Sequence, residues 1–175
     1  EWATVMAFVK AREAGGESVL QVAGSQKVQR ALRAQYAISA KTYLKTPTVF
    51  GFGGIFRRFA VGTQVIGRDA RLEEAGHALV RAWADDNGLD GFIGAAAQGE
   101  GRRFLERLRK VVQRGLDQGS LKSADVPADL AQELAARLDP SGLRPGREQE
   151  ALRSLVESHA GLREGAQFLS RELRK

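Results

Sequence analysis

Residues 54–80 read GIFRRFAVGTQVIGRDARLEEAGHALV, and the predicted fold depends on three elements within them. Apolar residues at helical spacing predict a helix over about residues 54–64. Two short apolar pieces then flank a Gly-Arg-Asp turn over residues 65–72, a pattern typical of a small β-hairpin. The amphipathic run that follows predicts a helix over residues 73–86, with acidic side chains in its first turn, where they suit the helix dipole. The expected order is therefore helix, hairpin, helix.

The same spacing assigns two faces to the first of these helices. The apolar side chains expected to point inward are Phe52, Ile55, Phe56 and Phe59. Those expected to look outward are Arg57, Arg58, Val61 and Gln64. These two faces follow from the 3.6-residue period of an α-helix. The sequence thus predicts a helix that buries its phenylalanines and exposes its arginines.

Upstream of this stretch, the sequence predicts helices over residues 2–13, 26–37 and 39–44. Ser25 and Ser39 are the expected N-caps of the second and third. In the second helix, Val28, Leu32 and Tyr36 are four apart and line one apolar face. The basic side chains that fall away from this face, toward solvent or a ligand, are Lys27, Arg30 and Arg33.

The glycine- and alanine-rich run at residues 94–99 is the predicted junction between two domains. After it, apolar spacing predicts helices over residues 102–116, 127–138, 148–157 and 162–173. The domains are therefore expected over residues 1–94 and 95–175, the second being a helical bundle for oligomerisation or partner docking. The fold class is mainly α with one small β-hairpin.

Charge is distributed unevenly along the chain. Residues 18–68, called the acid-free segment below, contain eight basic residues and no acidic residue. The net charge of the whole chain is +6, and all of that excess lies before residue 71. A polyanion is the natural partner of such a surface, because each neutralised phosphate releases condensed counterions. The apolar content of the segment favours a folded surface over a loose basic tail.

From Trp2 to Asp86 the order of helices and hairpin resembles a winged helix-turn-helix domain. The resemblance rests on a recognition helix at about residues 54–66, a wing at about residues 67–70, and the run from Leu72 to Gly76. In that run Glu73 stands where bacterial members of this fold usually have threonine. The resemblance implies a non-enzymatic protein, or a subunit of a larger prokaryotic complex, that binds double-stranded DNA.

Nine residues are the DNA contacts that the resemblance and the charge pattern together suggest. Arginine or glutamine on a recognition helix can make bidentate contacts to guanine or adenine, and basic residues around it hold phosphates. The predicted base-reading residues are Arg57, Arg58 and Gln64. The predicted phosphate or minor-groove contacts are Arg68, Lys41, Lys45, Lys27, Arg30 and Arg33.

Several alternatives stay open at this point. Each of these side chains can instead belong to a solvated helix face, and the partner can be RNA or an acidic protein. The chain can also be a scaffold subunit that uses both domains for protein contacts. A second basic strip on the 102–116 helix either extends the DNA surface or is covered by acidic residues of later helices. The strip consists of Arg103, Arg107 and Lys110, and the available acids are Asp125, Asp129 and Glu133.

The amino-acid composition excludes several other classes of function. The chain has no cysteine, which excludes disulfides, thiolate metal sites and cysteine nucleophiles within these residues and fits a cytoplasmic location. No apolar run is long enough to span a membrane. Glu73 and His77 share a helix face, but they lack a third nearby ligand and are expected to be a surface pair. We therefore expect no enzyme, no metal and no cofactor.

Overall fold

The computed structural model describes residues 1–15, 22–46, 51–94, 98–139 and 146–164. Within these ranges the chain is mainly helical. The α-helices are α1 (Trp2–Glu13), α2 (Ser25–Arg33), α3 (Arg57–Gly62), α4 (Glu74–Asp86), α5 (Glu100–Gln118), α6 (Ala128–Leu138) and α7 (Arg147–Ser158). A π-helical turn at Phe52–Phe56 leads into α3, and a 3-10 turn at Ser123–Asp125 precedes α6. Helical backbone resumes over residues 160–164.

Helix α1 lies at the centre of the main hydrophobic core. Its buried side chains are Val5, Met6, Ala7, Phe8, Val9 and Ala11, which leave no wide polar face. A helix that is apolar on most of its circumference must be covered on several sides, and α1 packs against α2, α5 and α6. Lys10 fixes it further, since its ammonium group donates to the carbonyl oxygens of Ser123 at 2.9 Å and Val126 at 2.6 Å.

The main core combines residues from both sides of the predicted domain junction. Met6 of α1, Phe104 of α5 and Leu130 of α6 belong to one buried cluster. The division into domains 1–94 and 95–175 stays a prediction. Part of the run on which it was based, residues 95–97, lies outside the described residues, as does most of the predicted 162–173 helix.

A second packing unit joins α4 to α7. Both oxygens of the Asp86 carboxylate accept hydrogen bonds from the first turn of α7, from the backbone amides of Arg147 at 3.0 Å and Glu148 at 2.8 Å. These amides have no partner within their own helix, because the first turn of an α-helix leaves its N–H groups unbonded. Asp86, at the end of one helix, therefore caps the start of another.

The predicted β-hairpin wing is wrong. In the ranges given above the structure contains no β-strand, and Ile66 pairs with Leu72 in a single isolated antiparallel bridge. The turn closes tightly, with the amide of Gly67 donating to the carbonyl of Arg71 at 2.8 Å. The chain then begins α4 at Glu74, only two residues after the bridge. One more backbone hydrogen bond follows the bridge, from the Glu73 amide to the Val65 carbonyl at 3.1 Å, and α4 then begins before a ladder can extend. The winged helix-turn-helix fold class is therefore corrected to a helical fold with a tight turn at residues 67–70.

The helix before that turn is shorter than the sequence predicts. Residues 54–64 were expected to form one helix, but Gly54 has non-helical torsion angles (φ −86°, ψ −110°) and the regular α-helix spans only Arg57–Gly62. Glycine allows this break because it lacks a β-carbon. The 26–37 helix also ends early, at Arg33, and residues 39–44 form a turn in place of a helix. Tyr36 consequently lies beyond the apolar face of α2 and is 71% exposed.

Candidate nucleic-acid interface

All nine side chains predicted to contact DNA are exposed. They lie on three elements of the acid-free segment. Lys27, Arg30 and Arg33 are on α2, and Lys41 and Lys45 are in the turn that follows it. The remaining four, Arg57, Arg58, Gln64 and Arg68, are on α3 or in the turns after it.

Helix α2 presents its basic residues because its single fully buried side chain, Val28, fixes the opposite face against the core. Of its three cations, only Arg33 lies near a described carboxylate, Glu13 of α1, at 3.7 Å. The Arg33 side chain is 72% exposed, so this pair is weakened by solvent screening. The helix therefore carries two unpaired cations and one weakly paired cation.

The turn after α2 is anchored by two buried residues, which leaves its lysines outside. Tyr43 and Leu44 lie in the core, and Thr42 closes the turn by accepting a hydrogen bond from the Ser39 amide at 2.9 Å. Burial raises the pKa of the Tyr43 phenol, and a hydrogen bond to Glu1 together with the charge of that residue raises this pKa further. Lys41 and Lys45 flank this anchored pair and both face solvent.

Arg57 and Arg68 are held side by side. The guanidinium of Arg57 donates to the backbone carbonyl of Arg68 at 2.8 Å, which joins the start of α3 to the tight turn. The acid in that turn, Asp69, is engaged elsewhere, because it pairs with Arg71 at 3.5 Å. The two arginines predicted to lie on a helix and a wing are thus close to each other, although the wing itself is absent.

Gln64 does not lie on a helix face as predicted. Helix α3 ends at Gly62, and Gln64 has a left-handed backbone with φ +56°. Its amide donates to the carbonyl of Val61 at 3.1 Å, which is a helix-terminating turn. A glutamine in this position cannot project from a recognition helix beside Arg57 and Arg58. The same cleft contains Arg68 together with Glu73 and Glu74, so the basic surface ends here.

The sequence prediction missed a row of exposed phenylalanines. Phe52, Phe56 and Phe59 are 42%, 60% and 49% exposed, although all three were expected to be buried. Helix α3 packs chiefly against the π-helical turn before it, and its buried residue is Ala60. Helical periodicity identifies which side chains share a face, but burial also needs a partner element to cover that face. At one end of the row, the Glu1 carboxylate accepts a hydrogen bond from the backbone amide of Phe52 at 2.9 Å.

Acidic residues of a later helix pair with one member of the second basic strip, Arg107, so the alternative prediction that they cover the strip holds only in part. Arg107 of α5 pairs with Asp129 at 2.5 Å and Glu133 at 2.6 Å, both on α6. Arg114 pairs with Asp125 at 3.3 Å. Two more arginines of α5 pair within the helix, Arg102 with Glu106 at 2.9 Å and Arg103 with Glu100 at 3.1 Å. Four of the six cations of α5 are thus paired with carboxylates, whereas Arg109 and Lys110 have no ion-pair partner among the described residues.

The acid-free segment differs from this strip in its electrostatics. No carboxylate of the described residues lies within ion-pair distance of its other seven cations, which are Lys27, Arg30, Lys41, Lys45, Arg57, Arg58 and Arg68. Unpaired exposed cations attract anions over the ~8–10 Å Debye length of physiological salt. Of the eight cations predicted to contact DNA, seven therefore have no ion-pair partner among the described residues, and Arg33 is weakly paired with Glu13.

The described residues give no support for a metal site or for a membrane-spanning helix. Within them, no group of three or more histidine or acidic side chains is arranged to hold a metal ion. None of the helices described there is long and apolar enough to cross a membrane. No protein-family model, curated protein or solved structure matches the chain.

Proposed function

We propose that this chain is a non-enzymatic nucleic-acid-binding protein, and that double-stranded DNA is bound through its phosphates by the cations of the acid-free segment. One observation carries the proposal: the exposed cations between residues 27 and 68 are almost all unpaired, whereas the arginines of α5 are largely engaged with carboxylates. A cation already held by a carboxylate gains little from a phosphate, while an unpaired one gains the full contact.

The proposed mode of binding is contact with the phosphate backbone. The wing is absent and Gln64 lies beyond the end of α3, so α3 has no glutamine to carry into the major groove. Phosphate contacts position a protein on nucleic acid without reading its sequence. The 2.8 Å hydrogen bond from Arg57 to the Arg68 carbonyl fixes the Arg57 guanidinium before binding, which lowers the ordering cost of a phosphate contact by that side chain.

Fluorescence anisotropy with a labelled generic duplex, titrated at two ionic strengths, tests this proposal. Each neutralised phosphate lowers the association constant about three- to fourfold between ~50 mM and ~200 mM salt. If the protein neutralises several phosphates, the association constant should therefore fall by well over tenfold between these two salt concentrations. Absence of binding at the lower salt concentration, or an affinity that does not respond to salt, would overturn the proposal.

A second candidate function is supported by a different surface. Val112 and Leu116 lie one turn apart on α5 and are 48% and 64% exposed. Adjacent exposed apolar side chains of this kind suit a protein partner, which is the scaffold alternative. Sedimentation velocity on the wild type and on Leu116→Asp tests whether copies of this chain associate through that surface. A single monomeric species for both at all concentrations would exclude self-association there.

A further inference from the structure

We propose that the cavity between α5 and the start of α6 binds a small organic monoanion, a carboxylate with an apolar body. The cavity has a volume of about 600 Å³, which lies within the range of small-molecule sites in proteins. None of its lining residues belongs to the acid-free segment. The inference therefore goes beyond the proposed function and does not depend on it.

Apolar side chains form the floor of this cavity. Val111 of α5 and Leu130 of α6 line it and are 7% and 1% exposed, and both belong to the main core. Pro127, the residue before α6, also lines the cavity and is exposed. An apolar body placed against these side chains removes apolar surface from water, which supplies much of the affinity in sites of this kind.

Three cations of α5 line the same cavity, namely Arg107, Lys110 and Arg114. They are three and four residues apart, so successive turns of one helix face carry them. Arg107 is held by two carboxylates of α6, and Arg114 pairs with Asp125 at 3.3 Å. Lys110, between the two arginines, has no carboxylate within ion-pair distance in the part of the chain that the structure describes. The middle cation is thus the one left for the negative group of a ligand.

The carboxylates of the cavity wall are bonded to other groups of the protein. Asp125 pairs with Arg114 and also accepts a backbone amide at 2.7 Å. Asp117 accepts a hydrogen bond from the side-chain amide of Gln113 at 2.7 Å. Three cations and two carboxylates line the cavity, so its net charge is +1. One negative charge balances this value, whereas a dianion would be repelled by the two carboxylates.

A nucleic-acid backbone matches this cavity less well than an isolated carboxylate does. Its phosphates follow one another at short intervals, so a strand along the cavity would pass Asp117 and Asp125 as well as the cations. The sugar–phosphate backbone also has no apolar body to cover Val111 and Leu130. The unpaired ammonium of Lys110 beside an apolar floor therefore favours a small ligand with one charged end.

The test uses naphthoate, a monoanion with a flat apolar body, and measures its binding to the full chain by isothermal titration calorimetry. Naphthamide and naphthyl phosphate differ from it chiefly in charge, being neutral and, at about pH 8, dianionic. Lys110→Gln removes the unpaired cation of the cavity. Arg109→Gln is the matched control, because Arg109 is also exposed and lacks an ion-pair partner among the described residues, but does not line the cavity. Both side chains are on the surface, so both variants should fold.

We expect naphthoate to bind the wild type at one site, and naphthamide and naphthyl phosphate to bind more weakly. Lys110→Gln should weaken naphthoate binding about three- to tenfold, as loss of one charged contact near the surface implies. Arg109→Gln should bind naphthoate like the wild type. Three results would each overturn the inference: no binding of naphthoate to the wild type, equal binding of naphthoate and naphthamide, or equal naphthoate affinity in the two variants.

Duplex binding by the same two variants separates this inference from the proposed function. Neither substitution removes a cation of the acid-free segment, so both variants should bind the duplex equally well. If Lys110→Gln alone loses duplex affinity and naphthoate does not bind the wild type, Lys110 is a phosphate contact and the inference is overturned. If naphthoate binds as expected and no duplex binds, the inference stands and the proposed function fails.

Discussion

The guanidinium of Arg57 and the backbone carbonyl of Arg68 are joined by a hydrogen bond of 2.8 Å. The bond fixes the position of the Arg57 side chain without neutralising its charge, because a carbonyl oxygen is a neutral acceptor. It also draws the tight turn toward the start of α3. The Arg57 guanidinium thereby lies beside the backbone of the turn that carries Arg68. No described carboxylate pairs with either arginine, and these unpaired cations are the basis of the proposed phosphate contacts.

Gly76→Ala should destabilise the packing of the turn against α4. A β-carbon at Gly76 would overlap the carbonyl oxygen of Val65 and lie 2.9 Å from a methyl group of Leu72. Since a backbone group must move to make room, we expect a loss of about 1–3 kcal/mol in the free energy of unfolding. Urea denaturation measures it. Gly62→Ala, where a β-carbon meets open space, is the matched control and should be neutral or stabilising by up to about 1 kcal/mol.

Gln64→Gly should stabilise the protein. The left-handed backbone at Gln64 (φ +56°) is strained for a residue with a β-carbon and relaxed for glycine. Its side chain is exposed, so little packing is lost. We expect a gain of about 1 kcal/mol in the free energy of unfolding. Gln132→Gly, in the middle of α6, should instead lower the free energy of unfolding by about 1 kcal/mol. Equal changes in this free energy for the two substitutions would contradict the left-handed backbone at Gln64.

Asp86→Ala should weaken the attachment of α7 to α4. The carboxylate accepts two amide hydrogen bonds from the start of α7, and removal of a capping side chain costs about 0.5–2 kcal/mol. The neighbouring Asp85 provides the control, since it makes only an exposed ion pair with Arg147 at 2.6 Å. Asp85→Ala should cost less than about 1 kcal/mol. If thermal unfolding shows that Asp85→Ala lowers the stability more than Asp86→Ala does, the Asp86 cap contributes little to the attachment of α7.

Glu148→Gln should stabilise the protein at neutral pH and lose that advantage in acid. Burial raises the pKa of the Glu148 carboxyl in the folded state, and the nearby charge of Asp86 raises it further. The folded state therefore holds this proton more tightly than the unfolded state, so the charged form is penalised once the pH rises above the folded pKa. Urea denaturation at about pH 7 and about pH 3.5 measures the difference on either side of the ordinary carboxyl pKa. A stabilising effect of the substitution that grows as the pH falls would contradict this sign.

Local sequence patterns predicted the helices where one face or the whole helix is apolar. The expected α1 matches Trp2–Glu13, and α4 begins one residue after its predicted start. The pairing of Arg107 with Asp129 and Glu133 was also predictable, because those acids were available on a later helix. These features depend on residues close in sequence or on simple charge balance.

The features that were missed depend on tertiary partners. Val65-Ile66 and the residues around Leu72 have the composition of short strands, yet α4 begins too soon after the turn to extend the Ile66–Leu72 bridge. Phe56 and Phe59 have helical spacing, yet no other helix of the described residues covers them. The acid-free segment has no carboxylate of its own to pair with its cations, and among the described residues only Arg33 finds one elsewhere, Glu13 of α1.

The salt dependence of duplex binding in two charge-matched variants shows which cations contact phosphate. Arg30→Gln/Arg58→Gln removes two unpaired cations, whereas Arg102→Gln/Arg103→Gln removes two cations that are paired with Glu106 and Glu100. Both variants lose the same net charge. We predict that the slope of log K against log salt falls by about 2 in the first variant and stays unchanged in the second. Equal slopes in the two variants would contradict the assignment of nucleic-acid binding to the acid-free segment.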